Sequence, residues 1–153
     1  MTPLDLGQLW VMRIHAAIFA LLLLLAGAGA EAVLRGNIDL PRGVIVLPLL
    51  IACIWLVFIA PARRFSGWGY AMDAEELQVR RGRLTRVHTM VPLDRVQHLD
   101  IAQGPLERSF GVSRLIVHTA GTLHSQVVLP GLARPTAEAM RDEIRARIKR
   151  DSV

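Results

Sequence analysis

The stretch "VRRGRLTRVH" (residues 79–88) sets Arg80, Arg81, Arg83 and Arg86 around Gly82. A guanidinium group stays charged at any physiological pH and donates several hydrogen bonds in a fixed plane, so a cluster of them suits phosphates or carboxylates. Nucleic acid, anionic lipid and acidic proteins all offer such groups. No aromatic residue lies in the run, so it lacks the stacking platform that binds single-stranded nucleic acid. Its charges are also too few for a strong, salt-dependent grip on a phosphate backbone. The expectation is no nucleic-acid partner, with lipid or protein left in contention.

Other reactive side chains do not assemble into a recognisable centre. The histidines are His15, His88, His98, His118 and His124. His118 and His124 flank a turn, and His88 and His98 fall on neighbouring predicted strands. Pairs of imidazoles without cysteines or a clear carboxylate set make a poor metal site, so no metal is expected. Ser109, Ser113 and Ser125 lack the strand-turn-helix setting of an activated nucleophile. "RRGRL" lacks the spacing and following helix of a phosphate-cradling loop. The one cysteine, Cys53, excludes an internal disulfide. No catalytic residue, cofactor or enzymatic activity is expected.

The elements that must carry the arginines fall into two unlike halves. The chain has 153 residues, 52% of them hydrophobic, yet 20% are charged and the net charge is +5. In residues 1–60, Arg13, Arg35 and Arg42 balance Asp5, Glu31 and Asp39, so the excess positive charge lies entirely in residues 61–153. Two apolar runs, about 10–30 and 43–60, are each long enough for a helix to cross the roughly 30 Å hydrocarbon core. A short connector, residues 31–42, makes them an antiparallel hairpin over residues 1–61. Ala16/Ala20 and Ala26/Ala30 are candidate close-packing positions, and Pro48 predicts a kink. Trp10, Trp55 and Trp68 are candidate interfacial anchors. Arg63, Arg64 and the basic second half favour a cytoplasmic C-terminal portion. "AGA" (28–30) before Glu31 also imitates a signal-peptide cleavage site.

After Pro61 the period shortens. Candidate strands are 68–72, 76–80, 85–91, 96–101, 114–119 and 124–130, separated by turn residues. Leu77 and Val79 share one face, as do Val87, Thr89 and Val91. Residues 103–111 read as a turn or a single helical turn. From Pro135 the period becomes helical, with Ala137, Met140, Ile144 and Ile148 on one stripe. Residues 62–153 therefore read as six or seven antiparallel strands and a C-terminal amphipathic helix, economically a half-open β-barrel plugged by that helix.

The segment "VPLDRVQHLDIAQGPLERSFGVSRLIVHTAG" (91–121) adds a resemblance. Pro92, Leu93, Arg95, Val96, Gln97, Gln103, Leu106, Arg108, Phe110, Gly111, Thr119, Ala120 and Gly121 match the pattern of the bacterial membrane-associated pleckstrin-homology-like family, YdbS type. The likeness covers about residues 61–150, and the two apolar runs fit it. It implies a PH-like barrel, a bacterial inner-membrane location, and companions of the same kind or homo-oligomers. It implies no agreed catalytic residue or ligand. Arg95, Gln97, Arg108 and Gly111 are its structural or partner-binding positions. Two functions follow as expectations. One is a membrane-anchored binding or scaffold module. The other is recognition of anionic lipid headgroups through Arg80, Arg81, Arg83 and Arg86.

Overall fold

The computed structural model describes residues 1–83, 85–120 and 126–151. The chain divides into two compact units, Met12–Arg63 and a second that joins Met1–Val11 to Arg64–Val153.

Met12–Arg63 holds most of α1 (Leu6–Asn37), then α2 (Val46–Ile54), a π-helical turn (Trp55–Ile59) and the start of α3 (Ala60–Phe65). Leu6–Asn37 and Val46–Phe65 each hold an 18-residue stretch, of mean hydropathy 2.3 and 2.2, long enough and apolar enough to cross a membrane. Four contacts show that they run antiparallel. Arg13 lies 6.0 Å from the Phe58 ring centroid, and the Cys53 thiol points to the Ala20 carbonyl at 3.7 Å. Gly27 faces Leu49, whose Cδ2 lies 2.5 Å from where a Cβ would sit, and Glu31 reaches Gly43, Ile45 and Val46. As one partner advances along the chain, the other retreats.

The close-packing stripe is Ala20, Leu24, Gly27 and Glu31, spaced as one helix face. Ala20 belongs to it, but Ala26 and Ala30 are exposed. The Glu31 carboxylate accepts bonds from the Gly43, Ile45 and Val46 N–H groups at 2.6, 3.1 and 3.1 Å. It thereby serves orphan donors at the start of α2. Pro48 falls in the first turn of α2, where its missing N–H leaves the interior ladder intact, so it is not the irregular point. The irregularity is the π turn, which precedes Pro61. A proline ring presses on the carbonyl four residues earlier, and the widened turn takes up that clash.

Among its described residues the second unit contains six strands: β1 (Gly69–Met72), β2 (Glu76–Arg81), β3 (Val87–Pro92), β4 (Val96–Ala102), β5 (Val112–Thr119) and β6 (Gln126–Ala133). All pairings are antiparallel. They form two three-stranded sheets, β1-β2-β3 and β4-β5-β6. The expected barrel is not closed among the described residues. Pro92 ends β3, the 3-10 turn Leu93–Arg95 redirects the chain, and β4 pairs only with β5. One core nevertheless spans both sheets. Leu77, Val79 and Val91 meet Leu115, Val117, Leu129 and Leu132, and α5 (Arg134–Asp151) adds Ala137, Met140 and Ile144. The short α4 (Pro105–Ser109) links β4 to β5.

The seam between the sheets is held by residues that carry no strand pattern. Thr2 and Tyr70 exchange backbone bonds at 2.7 and 3.0 Å, while the Asp5 N–H bonds the Gly131 carbonyl at 2.8 Å. Leu4, between them, is 4% exposed and joins the core. Residues 2–5 thus tie β1 of one sheet to β6 of the other. Trp68, a candidate anchor, is partly buried and packs against this core. Burial raises the Tyr70 phenol above its ordinary value, so it stays neutral.

Candidate functional site

The basic hairpin forms as expected, but its core face ends earlier. The register pairs Leu77 with Val91, Val79 with Thr89 and Arg81 with Val87 on one face. Leu77, Val79 and Val91 are buried; Val87 is exposed, opposite Arg81. The hairpin therefore projects past the core, and Val87 is not a core residue. Gly82 has φ +92°, and an added Cβ would lie 2.0 Å from the Thr85 carbonyl oxygen, so only glycine closes this tip. Arg80, Arg81, Arg83 and Arg86 are all exposed, and no ion pair ties any of them to another described residue. Gly67, two residues past the end of α3, packs on the tip: its Cβ position lies 3.0 Å from the Gly82 carbonyl carbon and 3.2 Å from the Arg83 nitrogen.

Arg95 and Arg108 are not brought together. Arg95 precedes β4 and Arg108 follows it, and a seven-residue strand spans about 20 Å. Both side chains are exposed; their backbone carbonyls make the turn bonds, to the Ala120 and Gly111 N–H groups at 3.0 and 3.2 Å. The side chain that ties this corner is Glu107. It is buried, accepts the Gly104 N–H at 2.7 Å and pairs with Arg114 at 3.0 Å. Gln103 helps, donating to the Val112 carbonyl at 2.9 Å. Gly111 has φ +67° and turns the chain into β5. Sequence reading had only the "GPLE" pattern to mark Glu107, a glutamate at the third position of a helix start.

Gln97 is exposed at a bulge in β4, between Val96 and His98. His88 and His98 lie in different sheets, because β3 does not pair with β4. His98 instead opposes His118, and Asp100 receives both, at 2.9 and 3.2 Å. His124 lies outside the described residues. Among the described residues no three His, Cys, Asp or Glu side chains form a metal cage.

A second surface was invisible in the sequence. A groove of about 790 Å³ runs between β4 residues 96–99 and one face of α5, where Arg141 and Arg145 stand.

Comparison with known proteins agrees with this architecture. The Bacterial PH domain family matches residues 6–148. The chain is 34% identical over 113 residues to the UPF0699 transmembrane protein YdbS of Bacillus subtilis (strain 168), covering 72% of this chain and 69% of that protein. No solved structure matches. A match that takes in the strands, both apolar helices and most of α5 leaves one conclusion: the chain belongs to the Bacterial PH domain family.

Proposed function

We propose that this chain is a two-span protein of the bacterial cytoplasmic membrane whose PH-like unit faces the cytoplasm and works by binding another membrane protein or a second copy. The observation that carries the reading is the composition of that unit. Met1–Val11 and Arg64–Val153 fold together, while the apolar helices lie between them in the chain. A polypeptide that leaves a unit and returns to it crosses a membrane an even number of times. Arg64 and the basic residues after it favour the cytoplasmic side. Cleavage after Ala30 would take Thr2, Leu4 and Asp5 from the fold, so the reading keeps the first helix.

A single-cysteine variant tests this reading: Ser109→Cys in a Cys53→Ala background. In intact cells the new thiol is expected to resist a membrane-impermeant maleimide and to react once inside-out vesicles are made. A bismaleimide added to those vesicles should then give a cross-linked species larger than the monomer. Labelling in intact cells contradicts the orientation; monomer alone after cross-linking contradicts the assembly.

A second reading is favoured by Gly67. The basic tip packs against the chain just past α3, which supports its meeting anionic headgroups where that helix leaves the bilayer. Each basic charge near an anionic leaflet contributes about 1 kcal/mol. Amides of residues 80–83 should exchange more slowly in anionic than in zwitterionic nanodiscs, and Arg81→Glu/Arg83→Glu should abolish the difference. Equal exchange in both lipids would rule this reading out.

A further inference from the structure

We infer that the groove between β4 and α5 receives an extended acidic segment of a partner protein, laid along the open edge of β4. The inference rests on the binding-module reading and names where that binding occurs.

Among the described residues β4 is hydrogen-bonded to β5 alone, and its other edge presents unpaired backbone groups. Such an edge is a template for an added strand. The ladder is regular from His98 to Ala102; the groove meets this edge at His98 and Leu99, and the remaining strand continues beyond it, where an occupant can go on pairing. Beside it, α5 forms a wall. The groove of about 790 Å³ lies within the size range of ligand sites, roughly 300–1,000 Å³.

The chemistry of the walls selects the occupant. Val96 is buried beneath the groove, and Leu99 and Ile148 are partly buried and pack against the core from its sides. Among the described residues, no carboxylate lines the groove. Its charged groups are Arg141 and Arg145, one helical turn apart on α5. Arg141 is held by Asp142 at 2.8 Å; Arg145 has no ion pair with a described residue. His98 also faces the groove, its ring engaged by Asp100. An occupant with alternating apolar and acidic side chains meets each requirement. Its backbone pairs with β4, its apolar side chains cover the floor, and its carboxylates meet the two guanidiniums. A lipid phosphate would use the arginines and leave the strand edge unpaired.

The test uses the full chain in detergent and a fluorescein-labelled peptide of four Glu-Val repeats, capped at both ends. Anisotropy should show saturable binding. Arg141→Glu/Arg145→Glu should weaken it at least about tenfold, as removal of paired charges does at an interface. Arg134→Gln, at the opposite end of α5 and outside the groove, should leave it unchanged. A peptide N-methylated at alternate residues keeps its charges but cannot pair with a strand, and it should bind at least about tenfold more weakly. Both arginines reach solvent, and an unchanged Tm of the double variant verifies its fold. Absent binding, equal binding by the double variant, or equal binding by the N-methylated peptide overturns the proposal. So does displacement of the peptide by anionic lipid micelles alone, which would mark a headgroup site. The cross-linking experiment reports separately. A cross-linked species that persists in Arg141→Glu/Arg145→Glu removes the groove and leaves the binding module standing.

Discussion

Leu4→Ala is expected to destabilise the β-rich unit by about 2–5 kcal/mol, the usual cost of emptying a buried leucine site. Leu4 precedes the first apolar helix and carries no strand pattern, so a linker role would make the change neutral. Its burial argues otherwise: it is 4% exposed and shares a core with Leu77, Leu115 and Leu129. For a unit of about a hundred residues, this corresponds to a fall in Tm of roughly 10 °C or more. The measurement is thermal unfolding in detergent, followed through Trp68 and Tyr70, which pack on the same core. A shift of only a degree or two would mean that residues 2–5 rest on the seam without holding it.

Gly131→Ala should cost more than Gly111→Ala, although the two glycines have nearly the same backbone. Their φ angles are +66° and +67°. A left-handed conformation costs a non-glycine residue about 1–2 kcal/mol at either place. The surroundings then separate them. A Cβ on Gly111 meets nothing within 4 Å. A Cβ on Gly131 would lie 2.7 and 2.8 Å from Cβ and Cγ of Gln8, and 3.3 Å from Cβ of Leu4. These are side-chain stems attached to the N-terminal segment, so the segment itself must shift, adding about 1–3 kcal/mol. The same thermal scan measures both variants. Gln8→Ala and Gly131→Ala should combine to less than the sum of their separate effects, because the first removes the Gln8 Cγ, one of the crowding atoms. Equal Tm values for the two glycine variants would contradict the close approach.

Much of the fold was legible because its signals are local. Alternation marked β2, β4 and β5 to within two residues, and the Ala137, Met140, Ile144, Ile148 stripe marked α5. The apolar runs announced their helices by length alone. What was illegible depends on partners distant in the chain. Alternation says that Val87 shares a face with Val91; it does not say that the core ends at Thr89. Nor does it say which edges meet, which is why a barrel was expected where two sheets stand. Residues 2–5 form a single bridge and one further bond, too little for any period. The basic tip was readable as a cluster within one hairpin. The β4/α5 groove was not, since Val96–Leu99 and Arg141–Ile148 become neighbours only when the helix folds back.

The stitch made by residues 2–5 also sets the order in which the molecule can be finished. Asp5 leaves the ribosome early and waits for Gly131, which is made only after both apolar helices and five strands. At about 5–20 residues per second, that wait lasts many seconds. Until then the seam between β1 and β6 stays open, and the early segment must remain within reach on the side where the strands emerge. Closing so distant a contact is the slow kind of step, and the nascent unit is open to strand exchange or proteolysis until it is made. Closure of the sheets is therefore a checkpoint that a chain passes only when residues 2–5 have stayed within reach of β6.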